Sequence, residues 1–437
     1  MACFKPGDRV RVRLRENVLE GIVMPKTEFS SPSTLIIKLP NGYNVGIDLE
    51  KAEVELVERG AVAVGESPPL AKSKVSGEGD LRLSFLSTGG TIVSKVEYET
   101  GAVKPAITAE ELIGMVPDFR DEASEIEVIE LYRLLSEDLT PKHWERIGEE
   151  VAKRVEEGYD AVIIAHGTDT MGYTASALAF TLRNLPIPVM IVGAQRSSDR
   201  PSTDSVINLK ATTSIARHAP FGEVCVVMHG DTSDTYVLAH RGVKVRKMHT
   251  SRRDAFQSIN DVPLAKVTFP EKEFHLINRR YLPRGERGRF RKVGRFSDKV
   301  FLLKFFPGME CGIIDYLVDK GYRGIVIEGT GLGHIRGSCV ESVKRATEEG
   351  VVVAVTSQTL FGRVNMNVYT NGRKLIEAGA IPSSDMLPET AFVKLSWLIG
   401  TYPDKDPSEI ASLYTTNMVN EMNPSLDMNH YPGWYHG

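Results

Sequence analysis

The run LRLSFLSTGG, Leu81 to Gly90, is an apolar strand that ends in a glycine-rich polar turn. A second run, YDAVIIAHGTDT from Tyr159 to Thr170, has the same form: a buried strand, then a loop of hydroxyls and glycine. The helical pattern GYTASALAFTLRNL follows it. PVMIVGAQ and EVCVVMHGD add two more strands, and Thr108–Met115 and Thr140–Glu157 read as helices, the second with Thr140 as N-cap and Pro141 at its first position. Apolar strands alternating with helices predict a mainly parallel sheet covered on both faces. The α/β pattern therefore begins at Leu81 and runs to residue 277.

Working outward, residues 278–298 break the pattern with a dense arginine run and few apolar residues. This segment reads as a solvated interdomain linker, with contact to a partner or to nucleic-acid phosphates as the sharper alternative. VFLLKFF, GIVIEGTG, VVVAVTSQT and a helix from Pro388 then predict a second, smaller α/β domain over residues 299–412, and a tail of 413–437. Upstream, residues 1–65 read as short strands. RVRVRLR alternates, TLIIKL follows, and Asn41-Gly42 signals a hairpin. This is a small all-β, barrel-like domain. Residues 66–80, with Pro68-Pro69 and Gly77-Glu78-Gly79, read as a linker.

A net charge of -4 argues against a chain whose main task is to grip nucleic acid. No apolar run reaches the roughly 18–20 residues of a membrane helix, and the N-terminal residues lack a signal-peptide core, so a cytoplasmic protein is expected. Cys3, Cys225, Cys311 and Cys339 are scattered and read as buried thiols in a reducing compartment. The histidines show no metal spacing, and no metal site is predicted. Gly329–Gly333 lacks the lysine-serine pair of a phosphate loop and reads as a tight turn.

Ligands bind beyond the carboxyl ends of parallel strands. Thr88 and the loop His166–Thr170 stand at two such ends. A threonine hydroxyl needs a base before it can attack a carbonyl. Asp169, beside Thr168, can orient a partner, and a lysine can serve as base. The residues alone do not choose among the lysines. The reaction class they offer is acyl transfer through a threonine.

TGGTI (Thr88–Ile92) and HGTDT (His166–Thr170), followed by KMHTSRRDAF (Lys247–Phe256), resemble the signature segments of the type I/II asparaginase family, in order, over roughly Asp80 to Leu413. The resemblance implies an asparaginase-like pair of α/β domains and a homodimer. It implies Thr88 as nucleophile and Thr168, Asp169 and Lys247 as a second triad. In that triad Lys247 accepts a proton and Asp169 also binds the substrate amino group. Tyr98 matches the family's lid tyrosine loosely. Ser136 and Glu137, in LLSEDL, match the loop that holds the substrate's α-carboxylate and α-amino groups; Glu137 stands where many relatives carry an uncharged residue. Which threonine attacks first, and whether the site prefers glutamine or asparagine, stays open.

Asparaginases of that family begin at the first αβ strand. A β domain ahead of it, with KMHTSRRDAFQS and EAGAIPSSDMLPETAFVKL, resembles the D-subunit family of archaeal tRNA-dependent amidotransferases. That likeness implies glutamine hydrolysis, with ammonia passed to an E subunit. The E subunit would bind tRNA(Gln) and use ATP and Mg2+ to convert Glu-tRNA(Gln) to Gln-tRNA(Gln), in an α2β2 complex. No cofactor is implied for this chain itself. The alternative is a free-standing L-asparaginase with an accessory N-terminal domain.

Overall fold

The alternation of charged and apolar residues in β1 (Arg9–Leu14) turns Val10 and Val12 inward and leaves Arg9 and Arg13 exposed. In the computed structural model the described residues are 4–5, 7–14, 17–24, 31, 33–40, 43–59, 72–89, 94–96, 103–105, 109–196, 202–427 and 430–431. β2 (Asn17–Val23), β3 (Thr34–Lys38), β4 (Asn44–Asp48) and β5 (Glu53–Glu58) complete an antiparallel sheet of order β4-β3-β2-β1-β5. Val10, Val12, Val23, Leu35, Ile37 and Ile47 form its own core. β3 and β4 pair as a hairpin, Lys38 opposite Asn44, while Asn41 and Gly42 of the expected turn lie outside the described residues.

The expected 66–80 linker needs correction. Lys72–Ser76 forms β6, an antiparallel edge strand of the large sheet. Its lysines meet acids across the ladder: Lys72 Nζ lies 2.7 Å from Glu127 and Lys74 Nζ 2.7 Å from Glu125. Both acids sit on β10 (Ala123–Glu130), far along the chain, so the partnership was not visible locally.

Next come β7 (Leu81–Ser87), the short hairpin β8 (Ser94–Val96) and β9 (Val103–Pro105), α1 (Ala109–Met115), α2 (Asp118–Glu122) and β10 (Ala123–Glu130). α3 (Pro141–Glu156) is capped as expected: the Thr140 backbone N–H donates to His143 Nδ1 at 2.8 Å. Beyond it lie β11 (Ala161–Ala165), α4 (Met171–Thr181), β12 (Leu182–Arg183), β13 (Val189–Val192), α5 (Ser205–His218), β14 (Val224–His229) and β15 (Tyr236–Arg241). The hairpin β16 (Val245–Lys247) and β17 (Phe256–Ser258) precedes β18 (Ala265–Thr268) and β19 (Glu273–Leu276). The sheet has nine strands in the order β19-β18-β15-β14-β13-β11-β7-β10-β6. Its centre, β10 to β14, is parallel, and antiparallel strands extend both edges. The connection from β14 to β15 is too short for a crossover, which forces the antiparallel turn-back. Side chains alternate between faces: Val162 and Ile164 pack with α3 and α4, Ile163 and Ala165 with α1, α2 and α5.

The second domain is a parallel sheet of β21 (Val300–Lys304), β22 (Gly324–Gly329), β23 (Val352–Ser357) and β24 (Ile381–Pro382), preceded by the two-residue β20 (Arg291–Lys292). α6 (Gly312–Asp319), α7 (Val340–Glu348) and α8 (Thr370–Glu377) cover one face. α9 (Pro388–Thr401) covers the other and packs on α4, with Phe180 stacked on Trp397 at 6.0 Å. α4 is buried on every side because it lies between its own sheet and α9. α10 (Pro407–Tyr414) leads into the tail.

Three further features add to the expectations or differ from them. The arginine segment is largely exposed, as a solvated linker would be, but it is also anchored to the first domain. β20 pairs with β12, Arg287 donates to Val155 O and Tyr159 O, and Arg284 to Ala216 O and Ala219 O. These guanidiniums satisfy carbonyls at the ends of α3 and α5, where a cation is favoured. The tail enters the core: Glu421 is fully enclosed against Lys394 of α9, its Oε1 2.5 Å from Nζ. Finally, Cys311 and Cys339 are joined in a disulfide, with Cα atoms 4.9 Å apart at the starts of α6 and α7. The fold brings together thiols that are scattered in the chain. Cys225 is a buried free thiol, and Cys3 lies outside the described residues.

Candidate active site

Strand order sets the site. β10, β7 and β11 are parallel neighbours, so the segments leaving them emerge side by side. Thr88 follows β7 directly and is buried. Its backbone N–H and its hydroxyl both donate to Ala165 O, at 3.0 and 2.9 Å. Its own carbonyl accepts from Leu134 N at 3.3 Å. Gly89 allows this approach: at φ +108° a Cβ would stand 2.3 Å from Leu134 O.

The loop after β11 is braced from within. Burial pushes the His166 imidazole down to about 4. The ring is neutral near pH 7, with Nε2 2.8 Å from Thr174 Oγ1 and Nδ1–H donating to Gly167 O at 2.6 Å. It is a fixed brace rather than a base. Gly167 faces the Ser136 loop so closely that a Cβ would lie 2.8 Å from Ser136 Cβ. Thr170 Oγ1 donates to Ser136 O at 2.6 Å. Ser136 is buried and Glu137 exposed beside it, Oγ to Oε2 3.5 Å.

Lys247 ends β16. Pairing with Phe256 on β17 fixes its direction, and Nζ donates to Thr168 Oγ1 at 2.8 Å and to Asp169 Oδ1 at 2.9 Å. Thr168 is buried, Lys247 nearly so, and Asp169 stands open to solvent. The structure thus unites Thr168, Asp169 and Lys247, sets Thr88 at the adjoining end of β7, and places Ser136 and Glu137 in a short 3-10 turn beyond β10. Tyr98 lies outside the described residues. Lys244, three positions earlier, points elsewhere: it is fully enclosed and donates to Asp385 Oδ2 of the second domain at 2.8 Å.

Sequence reasoning passed over three residues here. A cavity of about 230 Å3 beside Lys247 is also lined by Tyr173, Arg246 and Glu389. Arg246 Nη1 lies 3.0 Å from Glu389 Oε1. Burial pushes the Glu389 carboxyl up while Arg246 opposes the shift, and burial likewise raises the Tyr173 phenol. The only local signal was an acid in the first turn of a helix after Pro388, which is common for helix starts. Among the described residues no group of three or more His, Cys, Asp or Glu is arranged to hold a metal ion, and no helix is long and apolar enough to cross a membrane.

This geometry has counterparts. Residues 82–280 match the family model described as "Asparaginase, N-terminal", and residues 299–413 the "Glutaminase/Asparaginase C-terminal domain". Residues 4–57 match the "GatD N-terminal domain". Among solved structures, the thermostable L-asparaginase from Thermococcus kodakarensis is similar with a TM-score of 0.70 and 31% identity, over 79% of this chain and 100% of that one. L-asparaginase I from Vibrio cholerae follows at TM-score 0.68 and 27% identity, also over 79% of this chain and 100% of that one. Curated relatives match nearly end to end. The D subunit of glutamyl-tRNA(Gln) amidotransferase from Metallosphaera sedula is 50% identical over 98% of this chain and 95% of its own. That of Pyrococcus furiosus is 51% identical over 96% and 95%. With both asparaginase domains and the additional N-terminal domain matched, the chain belongs to the D-subunit family of glutamyl-tRNA(Gln) amidotransferases, built on the asparaginase fold.

Proposed function

We propose that this chain hydrolyses glutamine through a threonine and hands the ammonia to an E subunit. That partner would bind tRNA(Gln) and use ATP and Mg2+ to amidate Glu-tRNA(Gln). The proposal includes an archaeal, cytoplasmic α2β2 assembly built on a homodimer of this chain. The observation that carries the reading is Lys247 Nζ held between Thr168 Oγ1 and Asp169 Oδ1, two residues of the loop after β11, the strand beside the one that ends at Thr88.

The chemistry balances with groups at hand. Thr88 Oγ1, turned from Ala165 O toward the substrate, attacks the amide carbon and yields its proton to the Thr168–Lys247 pair. In the amine form of Lys247 the bond to Thr168 reverses, and the threonine donates. The resulting ammonium returns the proton to the amide nitrogen, the C–N bond breaks, and ammonia leaves. Water then cleaves the Thr88 ester and releases glutamate. Asp169 fixes the lysine and faces the substrate amino group. Ser136 and Glu137 border the place for the α-carboxylate and amino group, and Tyr98 would cover it. Release in place gives the partner a higher effective ammonia concentration than free diffusion.

The test is ammonia release from glutamine and asparagine by the full chain, with and without the E subunit and Glu-tRNA(Gln). Glutamine hydrolysis that rises on both additions, and is abolished by Thr88→Ala, is expected. Fast asparagine hydrolysis indifferent to both additions would instead establish a free-standing asparaginase.

A further inference from the structure

Two cations from neighbouring positions, Arg246 and Lys247, enter one cavity, and each meets its own carboxylate. For Lys247 it is Asp169, from the same domain. For Arg246 it is Glu389, brought from the second domain by α9. Glu389 is held unusually. Oε1 takes Arg246, but Oε2 is closed off from solvent and meets no donor. An enclosed, unpartnered carboxylate oxygen is costly, and surface carboxylates have no such constraint. The charged and titratable groups facing Glu389 are Arg246 from β16, Lys304 from β21, Glu328 from β22 and Tyr173 from α4. Lys247 itself faces Thr168, Asp169 and the cavity it shares with Arg246.

We infer that Glu389 is a positioning residue for the hydrolysis: it pins Arg246 and balances its charge, so that the cavity Arg246 shares with Lys247 carries no excess positive charge and Lys247 keeps its place. Without Glu389, an uncompensated guanidinium would stand beside Lys247. Like charges in one cavity repel, so any further positive charge there becomes harder to hold. The second domain therefore tunes the base of the first, although it supplies none of the residues that hold the proton. The inference rests on the proposed amide hydrolysis.

The experiment is the pH profile of kcat and KM for glutamine, from pH 6 to 10, on the full chain with its partner subunit. Wild type, Glu389→Gln, Glu389→Asp and Arg246→Gln are compared. Glu389→Gln should move the limb on which activity rises with pH downward by about half a unit, with kcat falling more than KM changes. Glu389→Asp should restore much of the wild-type profile. Arg246→Gln removes the cation itself, keeps the test open should Glu389→Gln fold poorly, and should move the same limb upward. A Glu389→Gln profile that overlays the wild type, or is lowered by one factor at every pH, would overturn the inference, as would an Arg246→Gln limb that stays put. A wild type that releases no ammonia overturns the proposed function itself, and is distinguished because it is measured in the same series.

Discussion

Lys244 and Lys247 lie three residues apart, and their replacement by methionine should have opposite consequences. Lys247 bonds to Thr168 and to Asp169, whose side chain is 70% exposed. An ion pair with so exposed a partner contributes at most about 1 kcal/mol to stability. As a proton acceptor, however, Lys247 is expected to supply about 10²–10⁴ in rate, or roughly 3–5 kcal/mol of barrier. Lys244 is the reverse. Burial pushes its ammonium pKa down, with Asp385 opposing, and neither side chain reaches solvent appreciably. Asp385 is also bound by the backbone and side-chain N–H groups of Asn423, so this joint ties the first domain, the second domain and the tail. Removing one member of such a pair costs about 3–5 kcal/mol, a large part of the roughly 5–15 kcal/mol that holds a protein folded. Urea denaturation and glutamine-dependent ammonia release on both variants provide the readout. Lys247→Met should fold normally and be inactive; Lys244→Met should melt early and, at low temperature, still turn over. A stable but inactive Lys244→Met, or a Lys247→Met within tenfold of wild type, would refute the assignment.

Two other outcomes are expected. Glu421 accepts from Lys394 and from the Met418 and Val419 backbone N–H groups while fully enclosed; Glu421→Gln should therefore destabilise by roughly 3–5 kcal/mol in chemical denaturation, and the double change with Lys394→Met should recover much of the loss. Lys74, chiefly, and then Tyr159 hold the Glu125 carboxyl down at about 2, so the stability it contributes is present above about pH 4.5 and is lost as pH falls toward 2. With Lys74 46% exposed, that contribution is on the order of 1 kcal/mol, and Glu125→Gln should lose less stability than wild type between pH 6 and pH 3.

The α/β alternation and the loops at Thr88 and His166–Thr170 were legible in the chain because local periodicity and glycine placement report directly on strands and their ends. The same reading marked β1 and α3 from charge alternation and from Thr140-Pro141. Selecting Lys247 over Lys244 needed the likeness to a known family; composition offered no preference. What the chain could not disclose were partnerships set by distance in space. β6 looked like a linker because its acidic partners lie on β10, and the anchoring of the exposed arginine segment was hidden because the carbonyls it caps end helices far upstream. The Cys311–Cys339 bond and the meeting of Arg246 with Glu389 depend on helix placement in the second domain. Local sequence determined which segments are strands and which loops can carry chemistry, since those follow from side-chain pattern within a few residues. Only tertiary packing decided which charges neutralise one another, because that depends on through-space distance and burial, which no local window contains.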